Sequence, residues 1–311
     1  MIRPASPQQT TACVLAALAP GAMLQATTFG DGVLVNIVVA ALTAVAVESF
    51  VAKLRGFASV DGIRDGSGIV TATLLALALP PTVSLGIVIA GVLIALVIGK
   101  HAFGGAGANP FNPAMVGYAV LLLAFPAAIA AWPNTNGAAI DGVTGPTVLD
   151  AFKHRGALTV TDVWTPMRGF GALGGSAWEL LNGAYLLGGA ALIAVRVVDW
   201  RIPLSMLGAL TFAAAIRYDG GSSSSLGSPL FHCFSGGTML AAFFVATDPV
   251  TAPTTARGRI CYGLLIGATL FAIRTGSTYP DGIAFAVLLG NAAAPAIDRA
   301  VLMAQRESGA A

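Results

Sequence analysis

Apolar positions along this chain gather into runs too long for the elements of a soluble core. Predominantly apolar stretches occupy 33–52, 83–99, 114–132, 177–198, 202–216, 259–273 and 282–297, and a helix needs about 20 such residues to cross a bilayer. Three further runs are shorter or interrupted: 11–26 by Pro20, 67–80 by Pro80 and Pro81, and 236–248 by Asp248 and Pro249. The pattern predicts an all-α membrane protein with about ten transmembrane helices. The first run has only Arg3 ahead of it and no small-residue cleavage site, so it reads as a retained helix and not a cleaved signal peptide.

Composition and charge sharpen this picture. Of 311 residues, 56% are hydrophobic and 10% charged, and the mean hydropathy is +0.81. A formal charge of +2 is too small and too dispersed for the basic stripe that nucleic acids require. Cys13, Cys233 and Cys261 are too far apart in sequence for a paired zinc or dithiol spacing. Alternating the gaps between runs, with the N-terminus inside, puts Arg3, Lys53, Arg55, Arg64, Lys100, Arg196, Arg201, Arg257, Arg259, Arg299 and Arg306 on the inner face, eleven of the 16 basic residues. The positive-inside bias therefore predicts cytoplasmic termini in an inner membrane, with the long polar segment 133–176 in the periplasm.

The chain also resembles itself. At an offset of 168 residues, GSGIVTATLLALALPPTVS (66–84) lies on FSGGTMLAAFFVATDPVTA (234–252), matching Ser67 with Ser235, Gly68 with Gly236 and Pro81 with Pro249. At 167, PAMVGYAVLL (113–122) meets PDGIAFAVLL (280–289). The division expected is 1–132 as a first transmembrane repeat, 133–176 as an outer loop, and 177–311 as a second repeat with a short cytoplasmic tail. Five spans per half is odd, so the second copy is inverted, and the two proline-ended segments become paired broken half-helices. Their freed backbone groups must meet a cavity or other protein, because lipid cannot satisfy them.

Candidate chemistry is sparse. DGVTGPTVLD (141–150) by itself is a Gly/Pro turn with hydroxyls, as in any solvated loop. However, DGVTGPT resembles the flavinylation sequence of the RnfD/NqrB family, membrane subunits of ion-pumping electron-transfer complexes. GKHAFGGAGANPFNPAMVGYAVLLLAFP (99–126), GGTMLAAFFVATDPVTAPTT (236–255) and YPDGIAFAVLLGNAAAPAID (279–298) are similar to the family's most recognisable blocks, and the likeness runs from about residue 30 onward. Length favours the RnfD branch. The resemblance implies FMN joined to Thr147 through a phosphoester, with Asp141 read by the flavin transferase that installs it, Gly145 keeping the motif non-helical and Thr144 as the fallback acceptor. Pro146 stands where the family has alanine, a stiffer backbone for the transferase to grip. A second, non-covalent flavin, riboflavin, is implied in the membrane portion, where Gly104, Gly105 and Gly107 allow a flat ring to approach closely. The implied function is that of a subunit in a ferredoxin:NAD⁺ oxidoreductase complex of the Rnf type, coupling electron flow to Na⁺ or H⁺ transport. With neither a nicotinamide fingerprint nor an iron–sulfur cysteine pattern, the chain depends on partner subunits for the rest of the reaction.

Within the spans Glu48 is the most expensive residue, on the order of 3 kcal/mol on insertion scales. It either snorkels to Lys53 as an ion pair or serves an ion or proton pathway. Asp248, in ATDPV (246–250), either caps the stretch after it or helps bind a cation. Lys100, His101 and the NPFNP run 109–113 are expected to form a structural turn, Asn109 and Asn112 satisfying backbone freed by the prolines. His154, between Lys153 and Arg155, reads as a solvated cluster able to steer an anion, and Ser222–Ser225 as a flexible outer loop. Two rival readings remain. One is a channel or secondary transporter built from the same inverted repeats without a cofactor; the other is an NqrB-type subunit of a quinone-reducing Na⁺ pump.

Overall fold

The computed structural model describes residues 6–56, 64–105, 107–133, 144–145, 147–164, 172–173, 175–279 and 281–309. Helix α1 (Pro7–Phe29) begins at a capping box. The Ser6 hydroxyl accepts from the Gln9 amide at 3.2 Å, and the Gln9 side chain accepts from the Ser6 amide at 2.9 Å. Pro20 lies inside α1 without ending it, so the interruption expected there is absent. A proline removes one amide and leaves the rest of the ladder intact, and membrane helices tolerate this when neighbours pack the site. Here the neighbour is Tyr185, whose ring fills the space above Gly21.

Helix α2 is Gly32–Leu54, α3 Ser67–Ala78, and α4 Leu85–Leu93, which runs on through a π-turn at Ile94–Ile98. The single span expected over 114–132 is divided. Asn112 caps α5 (Pro113–Ala124), Phe125 leaves helical geometry ahead of Pro126, and α6 (Pro126–Ala130) follows. In the polar segment, β1 (Trp132–Pro133) pairs antiparallel with β2 (Thr144–Gly145), and α7 (Val148–Lys153) and α8 (Val160–Trp164) follow. Then come α9 (Ser176–Ala194), α10 (Arg201–Arg217), α11 (Pro229–Phe234) and α12 (Thr238–Leu240), which continues as a π-turn through Ala241–Val245. The long α13 (Ala256–Gly276) and α14 (Ile283–Gly309) complete the chain, α14 passing through Pro295 and beyond the run that suggested it.

This is an all-α membrane protein. Among the described residues six helices are long and apolar enough to cross a bilayer, and α3 and α5 are shorter apolar helices. Large side chains such as Leu42, Phe50, Leu187 and Phe212 are more than 60% exposed, as expected where lipid replaces water. Helix α2 packs on α3 and α4, α10 packs on α11 and α13, and α1 against α9 joins the two halves. The short helices enter from opposite ends, which we call the Lys100 end and the Thr147 end. Ser67, at the start of α3, lies beside Lys100, whereas Gly236, just before α12, lies beside Leu149 of α7.

Small residues permit the closest crossings. A Cβ on Gly267 of α13 would run into the backbone carbonyl of Met206 on α10, whereas one on Gly208 meets nothing within 4 Å. Gly267→Val is therefore expected to cost about 3 kcal/mol through overpacking, and Gly208→Ala to leave stability unchanged or slightly raised. Thermal melting of the purified chain in detergent reads both.

Candidate functional site

At the Thr147 end a cavity of about 360 Å³ opens between the two halves of the chain. Its walls carry Tyr118, Trp132, Trp178, Tyr185 and Tyr279, and Thr147 stands among them. Two local features bring Thr147 there. The β1–β2 pairing holds Gly145 opposite Trp132, and Thr147 is the N-cap of α7, with extended backbone and a hydroxyl accepting from the Asp150 amide at 3.3 Å. Trp132 belongs to an aromatic trio with Phe29 and Trp178, ring centroids 5.0–5.4 Å apart. Thr147 is half-buried. Asp141 and Pro146 lie outside the described residues, as does the Thr144 side chain.

The basic residues after Thr147 are anchors and not the solvated cluster expected. Lys153 Nζ donates to the carbonyl of Tyr279 at 2.7 Å. Burial lowers its pKa, with Asp150 acting in the opposite direction. Arg155 lies over the Phe152 ring at 4.1 Å and donates to the carbonyls of Phe152, Ser223 and Ser225. Only His154 remains exposed, 3.1 Å from Asp150. These bonds tie α7, and so Thr147, to the second half of the chain.

Backbone groups freed at the broken helices are satisfied by protein side chains. Gln25 donates to the Leu77 carbonyl at 3.0 Å and Asn36 to that of Pro80 at 3.1 Å, closing the end of α3. Before α12, Asn182 donates to the carbonyls of Phe234 and Gly236 and accepts from the Met239 amide at 2.9 Å. Arg274, 1% exposed at its side chain, donates to the carbonyls of His232 and Ser235, to the Thr238 hydroxyl and to Asp281. Each of these donors is a polar residue within a span or at its end. The cost of placing an amide in an apolar run is the sequence signal that marks Asn36, Asn182 and Gln25. Arg274 carries no such signal, because it ends its span and looks like a loop residue.

At the Lys100 end Glu48 pairs not with Lys53 but with Lys100, Oε1 to Nζ 2.7 Å, and with His101 at 3.0 Å. Lys100 also donates to Ser67 at the start of α3, at 2.8 Å. Both charged side chains are 4% exposed. The cluster borders a second cavity of about 520 Å³, lined by Ser67, Thr71, Lys100, Asn109, Asn112 and Asp248 among others. Asp248 accepts from the Val250 amide and the Thr251 hydroxyl, which makes it a turn cap. Asn112 caps α5 and also bridges to Asn291 and the Val245 carbonyl, so it ties the halves together. Gly104, Gly105 and Gly107 all have positive φ, and Gly107 faces this cavity. Leu74 of α3 lines both cavities, so the two share a wall.

Comparison with known proteins gives matches along nearly the whole chain. Residues 2–306 match the NQR2, RnfD, RnfE family. The chain is 42% identical over 308 residues to a protein of Cellvibrio japonicus named as a subunit of the ion-translocating oxidoreductase complex, covering 92% of this chain and 86% of that protein. The protein named in the same way in Vibrio cholerae serotype O1 (strain M66-2) is 41% identical, covering 92% and 90%. That of Pseudomonas aeruginosa (strain UCBPP-PA14) is 43% identical, covering 92% and 87%.

Proposed function

Because the chain belongs to the NQR2, RnfD, RnfE family, we propose that it is the flavin-carrying membrane subunit of an ion-translocating oxidoreductase complex, with FMN esterified to Thr147. The observation that carries this reading is the position of one residue, Thr147, in the wall of an aromatic-lined cavity large enough for a ring system. When bound, the flavin supplies one- or two-electron redox chemistry, and the protein sets its place and surroundings.

The residues fit that task. Tyr118, Trp132, Trp178 and Tyr185 offer flat apolar faces. Tyr185 and Gln25 are joined by a 3.0 Å hydrogen bond that fixes a polar edge between them. Lys153 and Arg155 hold the tether, since both are bonded to backbone elsewhere in the chain. Gly145, paired in β2, lies with Thr144 in extended backbone two residues before Thr147, the form in which a transferase would read a motif that includes Asp141.

Riboflavin, the second flavin of this reading, is assigned to the cavity at the Lys100 end, where Asn109 and Thr71 offer hydrogen-bond partners without a covalent anchor. Asp248 lines that compartment and Glu48 is linked to it through Lys100, and these two carboxylates are the candidates for an ion pathway, for Na⁺ or H⁺. The division at 1–132, 133–176 and 177–311 into inverted halves belongs to the same proposal and is supported by the opposite entry of α3 and α12. So does the placement in an inner membrane, with termini cytoplasmic and Thr147 outside. Other subunits, of ferredoxin:NAD⁺ oxidoreductase type, complete the reaction.

The test is in-gel flavin fluorescence of the denatured chain made with a flavin transferase. The wild type is expected to give a yellow-green band, Thr147→Ser to keep it and Thr147→Ala to lose it. A colourless wild-type band would favour the pore reading instead.

A further inference from the structure

A third cavity, of about 440 Å³, lies at the Lys100 end where α9 turns into α10. Its wall holds Arg196, Arg201 and Arg259 against one carboxylate, Asp199. Arg201 and Arg259 share that carboxylate, at 3.0 and 2.6 Å. Burial raises the Asp199 pKa, but the Arg201 amide and the two guanidinium groups outweigh it, so the group stays below the ordinary carboxylate range and remains charged. The wall therefore keeps two positive charges in surplus. The Arg196 backbone amide donates to the Ile193 carbonyl at 2.9 Å, but its guanidinium makes no hydrogen bond or ion pair with any described residue, and the residue is exposed. It is also the one non-glycine residue with positive φ among those described, at +61°. A side chain rarely adopts that backbone, and when it does the cost is offset by the surrounding structure or by a function.

Beside this basic wall the surface is apolar. Val195, Trp200 and Leu204 are 62%, 49% and 53% exposed, and the Arg201 guanidinium lies 5.2 Å from the Trp200 ring. A tryptophan at the rim of an apolar belt marks the headgroup level of a bilayer. We propose that this cavity binds the phosphodiester headgroup of an anionic phospholipid, with Arg196 as the free cation that receives it and the acyl chains lying along Trp200 and Leu204. Free phosphate shares the headgroup's chemistry, but it has no use for the exposed apolar strip beside the arginines. Basic pockets between membrane helices bind anionic headgroups in this way.

The experiment is native mass spectrometry of the full chain in mild detergent, titrated separately with phosphatidylglycerol, phosphatidylcholine and inorganic phosphate. The wild type is expected to retain phosphatidylglycerol in preference to phosphatidylcholine, and inorganic phosphate at millimolar concentration is expected not to displace it. Arg196→Asn removes the charge and suits the left-handed backbone better than arginine, so the fold is preserved. It should reduce the preference about fivefold, while Arg196→Lys keeps it within about twofold. Equal retention of both lipids, or an undiminished preference in Arg196→Asn, overturns the proposal and leaves the cavity to an acidic segment of a partner chain. Displacement by inorganic phosphate also overturns it, in favour of the free anion.

Discussion

Glu48→Gln is expected to destabilise the chain by about 3–5 kcal/mol, because it leaves a buried ammonium without its counter-charge. Lys100 and Glu48 are each 4% exposed and 2.7 Å apart, so neither can recover its loss from solvent. Glutamine still offers a carbonyl oxygen to Lys100, which isolates the charge as the quantity removed. The double variant Glu48→Gln, Lys100→Met removes the stranded ammonium and should recover more than half of the loss, since a buried pair contributes less in total than breaking it costs. Thermal melting in detergent, read as a double-mutant cycle, gives the coupling directly. Additive losses would mean that the two groups do not depend on each other. Lys100 also donates to Ser67, so a smaller share of the damage should persist in the double variant as a loosened start to α3.

Arg274→Met is expected to be comparably severe, about 3–5 kcal/mol, for a different reason. The guanidinium donates to two carbonyls, a hydroxyl and a carboxylate on three separate segments, and methionine fills the space without donating to any of them. Arg274→Lys keeps the charge but lacks the planar fork, so it should recover less than half of the stability. Asp281→Asn should cost less, because Asp281 is 25% exposed and water can reach it. The same loss should loosen the chain before α12, where Gly236 lines the cavity that includes Thr147. Limited proteolysis near residues 234–237 checks that local consequence, and unchanged cleavage in Arg274→Met would contradict it.

Lys100 and Arg274 play matching roles. Each stands at the end of a long helix and ties down the start of a short one, Lys100 through Ser67 of α3 and Arg274 through Ser235 and Thr238. Ser67 and Ser235 are the pair aligned by the 168-residue offset. The serines are legible in the sequence because they lie in a repeated block. The cations are not, because they are out of register with each other and their partners are distant in the chain.

A similar division holds for the rest of the molecule. Hydropathy locates most of the long helices almost to their ends, since burial in lipid is a property of the local run, but it misses the polar C-terminal part of α14, which continues past the run at 282–297 to Gly309. It fails at Pro20 and at Phe125, two places where proline context decides and the neighbours, not the run, determine the result. The motif around Thr147 singles out the residue, but not the cavity beside it, whose aromatic wall is assembled from distant helices. Glu48 is recognisable as costly, yet its partner is not: Lys53, five residues away on the same helix, is the nearer in sequence, whereas Lys100 is brought in by the end of α4.

Whether Thr147 carries the flavin is read by mass spectrometry of a peptide covering residues 134–153 from protein made with the transferase. The expected mass increase is one FMN less one water, with fragment ions placing it on Thr147. An unmodified peptide, or an adduct localised to Thr144, would contradict it.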